Sequence, residues 1–149
     1  MADLTRRDVI KLIAISGKPI HLRGNDLSGL NLSKLHLPSA NLTYTNLSEA
    51  NLADAYLSRS CLFNANLTNA NLSRAYLDDA DLISADLTNA NLQEATLRNA
   101  TFCGATLCNA NLKGALWEGA DFDGAVVNGN TVWPDDFDKG LFALETKSE

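Results

Sequence analysis

The stretch ANLTNANLSRAYLDDADL, residues 65–82, carries Leu67, Leu72, Leu77 and Leu82 at intervals of five, each two places after an alanine (Ala65, Ala70, Ala75, Ala80). A helix cannot use that spacing. Residues five apart lie ~140° apart around its axis, so the leucines would spiral over every face. A straight strand cannot use it either, because an odd period sends successive leucines to opposite sides. The chain must therefore turn once per five residues. Leucine at position i and alanine at i−2 then point inwards together at strand spacing, and i+1 and i+2 make a corner.

Outwards from this stretch, the period runs without a gap from Leu22 to Val127, which is 22 pentads. Position i is leucine in 18 of them, the others being Phe102, Trp117, Phe122 and Val127, so one core unit is written along most of the chain. Position i+2 is glycine at Gly24, Gly29, Gly104, Gly114, Gly119, Gly124 and Gly129, and asparagine at five further places. These are the residue types that accept a positive φ at least cost, as the corner requires.

The pentads ANLTN, ADLTN and ANLQE fit the pattern A(D/N)LxX, and on these residues the chain resembles the pentapeptide repeat proteins over about 108 of its 149 residues. The resemblance implies an all-β solenoid: a right-handed quadrilateral β-helix with four pentads per coil, here about 5.5 coils from the 22 pentads. With neighbouring strands ~4.8 Å apart, such a rod is roughly 26 Å long. Each coil touches only its neighbours, and the apolar ends need covers.

Three regions are expected on this basis: residues 1–19 as an N-terminal helical cap, 20–129 as the β-helix, and 130–149 as an irregular C-terminal cap and tail. Thr5 with Asp8 resembles a capping box, and Leu4, Val9, Ile10, Leu12 and Ile13 supply an apolar stripe, with Ile10 and Ile13 as the expected cap contacts. Gly17 and Pro19 should stop the helix. At the other end TVWPDDF, residues 131–137, breaks the register at Pro134, and Trp133 and Phe137 are the expected lids.

If four pentads make a coil, residues twenty apart stack and the outer walls can be read directly. One wall carries Asn31, Asn51, Asn71, Asn91 and Asn111, expected to form an amide ladder, beside the alternating charges Lys34, Asp54, Arg74 and Glu94. A second stacks Tyr56 over Tyr76, with Arg59 beside Asp79, expected as cross-strand packing or, alternatively, as a contact patch for a partner. A third presents Phe63, Ile83 and Cys103 in an outward column with Tyr44 near its start, an apolar ridge that the tail KGLFALETKSE or a partner would cover. The fourth is mostly Asn, Thr and Ser, with Asp26 and Asp86.

Composition narrows the chemistry. The formal charge of −6 opposes electrostatic attraction to nucleic acid or an anionic membrane. No stretch approaches the ~18–20 apolar residues of a membrane span, and the N-terminal segment lacks the pattern of a signal peptide. Cys61, Cys103 and Cys108 are odd in number and without metal spacing, which fits a reducing cytoplasm. His21 and His36 fall on different walls with no nucleophile beside them, and the acid pairs Asp78–Asp79 and Asp121–Asp123 sit on open surface. A filled axis leaves no room for a cofactor. The expectation is a non-enzymatic protein without cofactor or metal. It should be cytoplasmic and bind an unidentified protein partner, with no direct contact to nucleic acid or membrane. Self-association is expected through a coil end or the apolar face.

The resemblance adds a second function. Some pentapeptide repeat proteins resemble B-form DNA in size and charge, bind DNA gyrase, and inhibit it or protect it from quinolones. Between Leu22 and Gly129 there are eleven acids and six bases, net −5. Duplex DNA carries one charge per ~1.7 Å, about fifteen over ~26 Å. The rod falls short threefold, and the generic binding role is the first expectation.

Overall fold

The computed structural model describes residues 4–16 and 19–147. From His21↔Asn41 to Thr106↔Val126, every fifth residue pairs in parallel with the residue twenty places on. One coil is therefore twenty residues, and each of its four walls contributes one paired residue. The corner follows too soon for a longer ladder. Among the described residues, strands of two residues occur only as β1 (Val126–Val127) and β2 (Glu145–Thr146).

The pentad accounts for all five of its backbone N–H groups, which explains its composition. Around Leu72, Asn71 N donates back to Ala50 O at 2.9 Å, and Leu72 N and Arg74 N donate forward to Asn91 O and Gln93 O at 2.7 and 2.9 Å. Ala75 N closes the corner on Leu72 O at 3.0 Å. The remaining donor, Ser73 N, goes to the Asn71 side-chain Oδ1 at 3.1 Å. Asn or Asp at i−1 is thus the acceptor that the corner itself lacks. The amide ladder expected from Asn51, Asn71 and Asn91 is present only at 3.5 Å between side chains, so the local turn takes precedence over stacking.

At i+2 the backbone is left-handed even where the residue is not glycine, with φ of 55° at Arg74 and 57° at Asp54 and Glu94. Leu67, Leu72, Leu77 and Leu82 are fully buried, as are the alanines beside them to within 1% exposure. Each enclosed leucine is worth about 1.5–3 kcal/mol of burial. Towards the C-terminal end Phe102 and Phe122 replace leucine and stack at 4.8 Å.

Helix α1 (Arg6–Ser16) lies against the first coil. Thr5 N donates to Asp8 Oδ2 at 3.0 Å and Asp8 N donates to Thr5 Oγ1 at 3.3 Å, a reciprocal cap. The Thr5 hydroxyl and amide hold the Asp8 carboxyl below its ordinary value. Val9 is buried, and Leu4 and Ile13 pack against the core. Ile10 does not serve as a cap contact: it is 43% exposed and Leu12 40%. At ~100° per residue they flank the Val9 stripe, and only that stripe reaches the coil. Gly17, expected to stop the helix, lies outside the described residues.

Arg6 covers the coil edge. Its guanidinium donates to Asn31 O and, at 3.1 Å, to Ser33 O. In every later coil those two carbonyl positions accept N–H groups from the coil before, as Asn51 O and Ala53 O do from Leu32 N and Lys34 N. Arg6 stands in for a coil that is not there. Arg6→Ala should lower the unfolding free energy by about 1–2 kcal/mol, read as an earlier denaturant midpoint with unchanged slope.

At the other end the register slips. Asn111 pairs with Val132, one place further than the twenty-residue spacing, and Gly129 is outside the left-handed set. The tail is less irregular than expected. β2 lies parallel on β1, Val126 opposite Glu145 and Val127 opposite Thr146, while Gly124 N donates to Ala143 O at 3.0 Å. It thus builds a further rung along the coil axis and does not cover the Phe63–Cys103 ridge. Trp133, Phe137 and Phe142 close over Phe122: Trp133 and Phe137 stack at 4.0 Å, and Phe122 meets Phe137 edge-on at 5.4 Å.

Candidate interaction wall

The wall between the corners at Lys34 and Ser39 departs most from the pentad rule. Its central column is His36, Tyr56, Tyr76, Thr96 and Leu116, each bridged to the next. Asn and Asp are absent from it, so these pentads forgo the side-chain acceptor that completes the corner elsewhere. Tyr56 and Tyr76 stack with centroids 4.6 Å apart and planes 8° from parallel, and His36 continues the column at 5.5 Å. The two tyrosines remain 43% and 39% exposed, and Leu116 is 41% exposed. An aromatic body in a flat polar surface is what interface centres are made of.

Charges line both corners. On one side Arg74 forks onto Asp54, Nε to Oδ1 at 2.8 Å and an Nη to Oδ2 at 3.0 Å, with Lys34 and Glu94 continuing the column. The Arg74 bond holds the Asp54 carboxyl below its ordinary value, and the same bond raises Arg74. On the other side Arg59 lies 3.8 Å from Asp79, and Arg98 is 3.8 Å from Asp78 and 3.5 Å from Glu118. Apart from Asp78, whose Oδ1 is buried, these side chains are solvated, so their pairs contribute little to stability. Sequence reasoning singled out Tyr56 and Tyr76 but missed that His36, Thr96 and Leu116 belong to the same column; the signal was the twenty-residue spacing.

The ridge is less exposed than its composition suggests. Phe63, Ile83 and Cys103 are half-buried, because each lies along a corner beneath its neighbours. Tyr44 is 52% exposed and meets Phe63 edge-on at 5.7 Å, with Arg23 over its other face at 5.3 Å. Cys103 Sγ donates to Asp121 Oδ2 at 3.2 Å; burial, then that carboxylate, pushes the thiol up and away from reactivity. The three cysteines are free thiols.

A cavity of about 220 Å³ opens beside the C-terminal plug, lined by Leu116, Trp117, Glu118, Pro134, Asp135 and Asp136. Among the described residues no group of three or more His, Cys, Asp or Glu could hold a metal ion, and no helix is long and apolar enough to cross a membrane.

The family model for pentapeptide repeats matches residues 20–59, 31–69, 60–99 and 102–129, with eight copies in all. Among solved structures, the chain is similar to the pentapeptide repeat protein Rfr23 from the cyanobacterium Cyanothece 51142, at 34% identity and a TM-score of 0.63, over 72% of this chain and 90% of that one. It is also similar to trypsin-treated QnrB1, a plasmid-mediated fluoroquinolone resistance protein, at 17% identity and a TM-score of 0.62, over 88% of this chain and 86% of that one. At that identity the likeness speaks for the fold alone. No curated protein matches the chain. From the matched repeats and the Rfr23 likeness, the chain belongs to the pentapeptide repeat family.

Proposed function

We propose that the chain is a non-catalytic binding module: a right-handed quadrilateral β-helix of about 5.5 coils, from its 22 pentads, covered at both ends and holding one flat wall for another protein. The observation that carries this reading is the exposed, stacked Tyr56–Tyr76 pair, placed where twelve of the other twenty pentads carry an Asn or Asp whose side chain completes the turn. A repeat that gives up its own turn acceptor for an exposed ring gains nothing inside the coil, and such breaks of a local rule mark function. The three free thiols fit a reducing cytoplasm as the working compartment.

Gyrase binding by charge mimicry is the weaker reading. The wall columns alternate in sign, with Arg74 beside Asp54 and Arg59 beside Asp79, whereas duplex DNA presents unbroken negative charge. Two measurements test the choice. Tyr56→Glu with Tyr76→Glu should abolish capture of the partner that the wild-type chain retains from its native cell, while Phe63→Asp leaves capture intact. Purified chain should leave gyrase supercoiling unchanged at a hundredfold molar excess. Inhibition there, or capture insensitive to the tyrosines, overturns the reading.

A further inference from the structure

We infer that this wall also recognises a second copy of the chain, packed face to face and antiparallel, with the two-fold axis passing between the rungs of Tyr56 and Tyr76. The inference rests on the wall being an interaction surface, and the columns themselves identify the occupant. Reading up one corner, the signs are plus, minus, plus, minus at Lys34, Asp54, Arg74 and Glu94. An antiparallel copy reverses the order of rungs and keeps each column facing itself. Lys34 then faces Glu94 of the second copy, and Asp54 faces Arg74. On the other corner Arg59 faces Asp79 by the same operation, and in the centre Tyr56 meets Tyr76. Each contact occurs twice, and no like charges in these columns are opposed.

A parallel two-fold along the rod is the competing arrangement. It also brings Asp54 to Arg59 and Arg74 to Asp79, but it leaves Lys34 facing Ser39 and Glu94 facing Asn99, and it sets His36 against His36. The antiparallel arrangement satisfies all six charges at the corner tips. The intrachain Arg74–Asp54 and Arg59–Asp79 pairs are not sacrificed, because both stay exposed at the rim and become halves of four-charge clusters.

The area sets the strength. Four rungs at ~4.8 Å and a wall of five residues give a face of roughly 20 Å by 15 Å, about 300 Å² per copy. This is well below the ~800 Å² per partner of a stable complex, so dissociation in the range of about 100 µM to 1 mM is expected. The dimer should weaken at least tenfold from 50 to 500 mM salt.

Sedimentation of the full chain from about 10 µM to 2 mM tests self-association. Arg74→Asp alone should weaken it tenfold or more, and Arg74→Asp with Asp54→Arg should restore it. Direction is read by cross-linking. His36→Cys with Thr96→Cys should give disulfide-linked dimers under oxidation, whereas His36→Cys alone should not. Within one chain the two sites are three rungs, ~14 Å, apart, too far for a disulfide. A monomer throughout overturns the homodimer, and a dimer whose rescue fails, or dimers from His36→Cys alone, overturn its antiparallel direction. Either result leaves the wider binding role standing, since that role is decided by other readouts, partner capture that ignores Tyr56 and Tyr76 or inhibition of gyrase.

Discussion

Leu77→Ala should lower the unfolding free energy by about 3–5 kcal/mol. Leu77 is fully buried, and its coil is enclosed by one coil on either side. Removing its isobutyl end leaves a void that both neighbours line, and their backbones cannot close on it. Leu57 and Leu97 occupy the same place in the adjacent coils, and Tyr76 N, Leu77 N and Asp79 N are committed to the rungs on either side through Ala55 O, Thr96 O and Arg98 O. The same substitution at Leu27, in the first coil, should cost roughly half as much, because a solenoid's terminal repeat meets one neighbouring coil and can fray. Urea unfolding of the two variants measures both numbers. Equal losses would mean that the chain unfolds as one block, and a loss below 1 kcal/mol at Leu77 would mean that the leucine stack is not one continuous core.

The repeat was readable because its cause is local. Leu67 to Leu82 can face one axis only if the backbone turns every five residues, and the chain records that turn as glycine or asparagine at i+2 in twelve of its 22 pentads. The role of Asn71 was half readable: stacking and turn completion place its amide in the same spot, and only the 3.1 Å bond to Ser73 N against 3.5 Å between amides separates them. Contacts made across the period left no trace. Arg6 serves Asn31 and Ser33, 25 and 27 positions away, and no periodicity links them. The tail segment at Glu145–Thr146 has neither the alanine nor the leucine of a pentad, yet it pairs with Val126–Val127 because an open rung accepts any backbone. Exposure was misjudged at Phe63 and Ile83 for a related reason. An i+1 side chain points outwards but lies along a corner, where the ring of Tyr44 shelters Phe63.

For the interaction wall, departures from the pattern were more informative than the pattern. Tyr56 and Tyr76 stand out because Asn or Asp would complete the turn. The alternating corner charges took their meaning only once the rungs were in register. Column against column, Lys34 to Glu94 reads as its own complement, a property that is invisible to net charge and to any single pentad.

Phe122→Ala should be the most disruptive change at the C-terminal end, costing about 3–5 kcal/mol. Phe122 is fully buried and stacks on Phe102, while Trp133, Phe137 and Phe142 all meet its ring edge-on between 5.4 and 5.5 Å. The plug therefore converges on one side chain. Once that ring is gone, Trp133 and Phe137 can still stack on each other, but they have nothing in the last coil to stand on. The tail rung depends on the same place, since Gly124 and Asp123, which bind Ala143, adjoin Phe122. Loss of the plug should therefore release residues 130–147 as a unit. Limited proteolysis would then cut within that segment, and Trp133 fluorescence would shift to the red, before the coils below unfold. Uncovered, the last coil presents open backbone and apolar side chains, so Phe122→Ala should also form end-to-end aggregates that grow with concentration and persist in salt. That insensitivity separates stacking through the coil end from the wall dimer, whose charge pairs high salt weakens. Early proteolysis in the wild type, or a variant as compact and protease-resistant as the wild type, would show that the aromatic cluster is not what closes the rod.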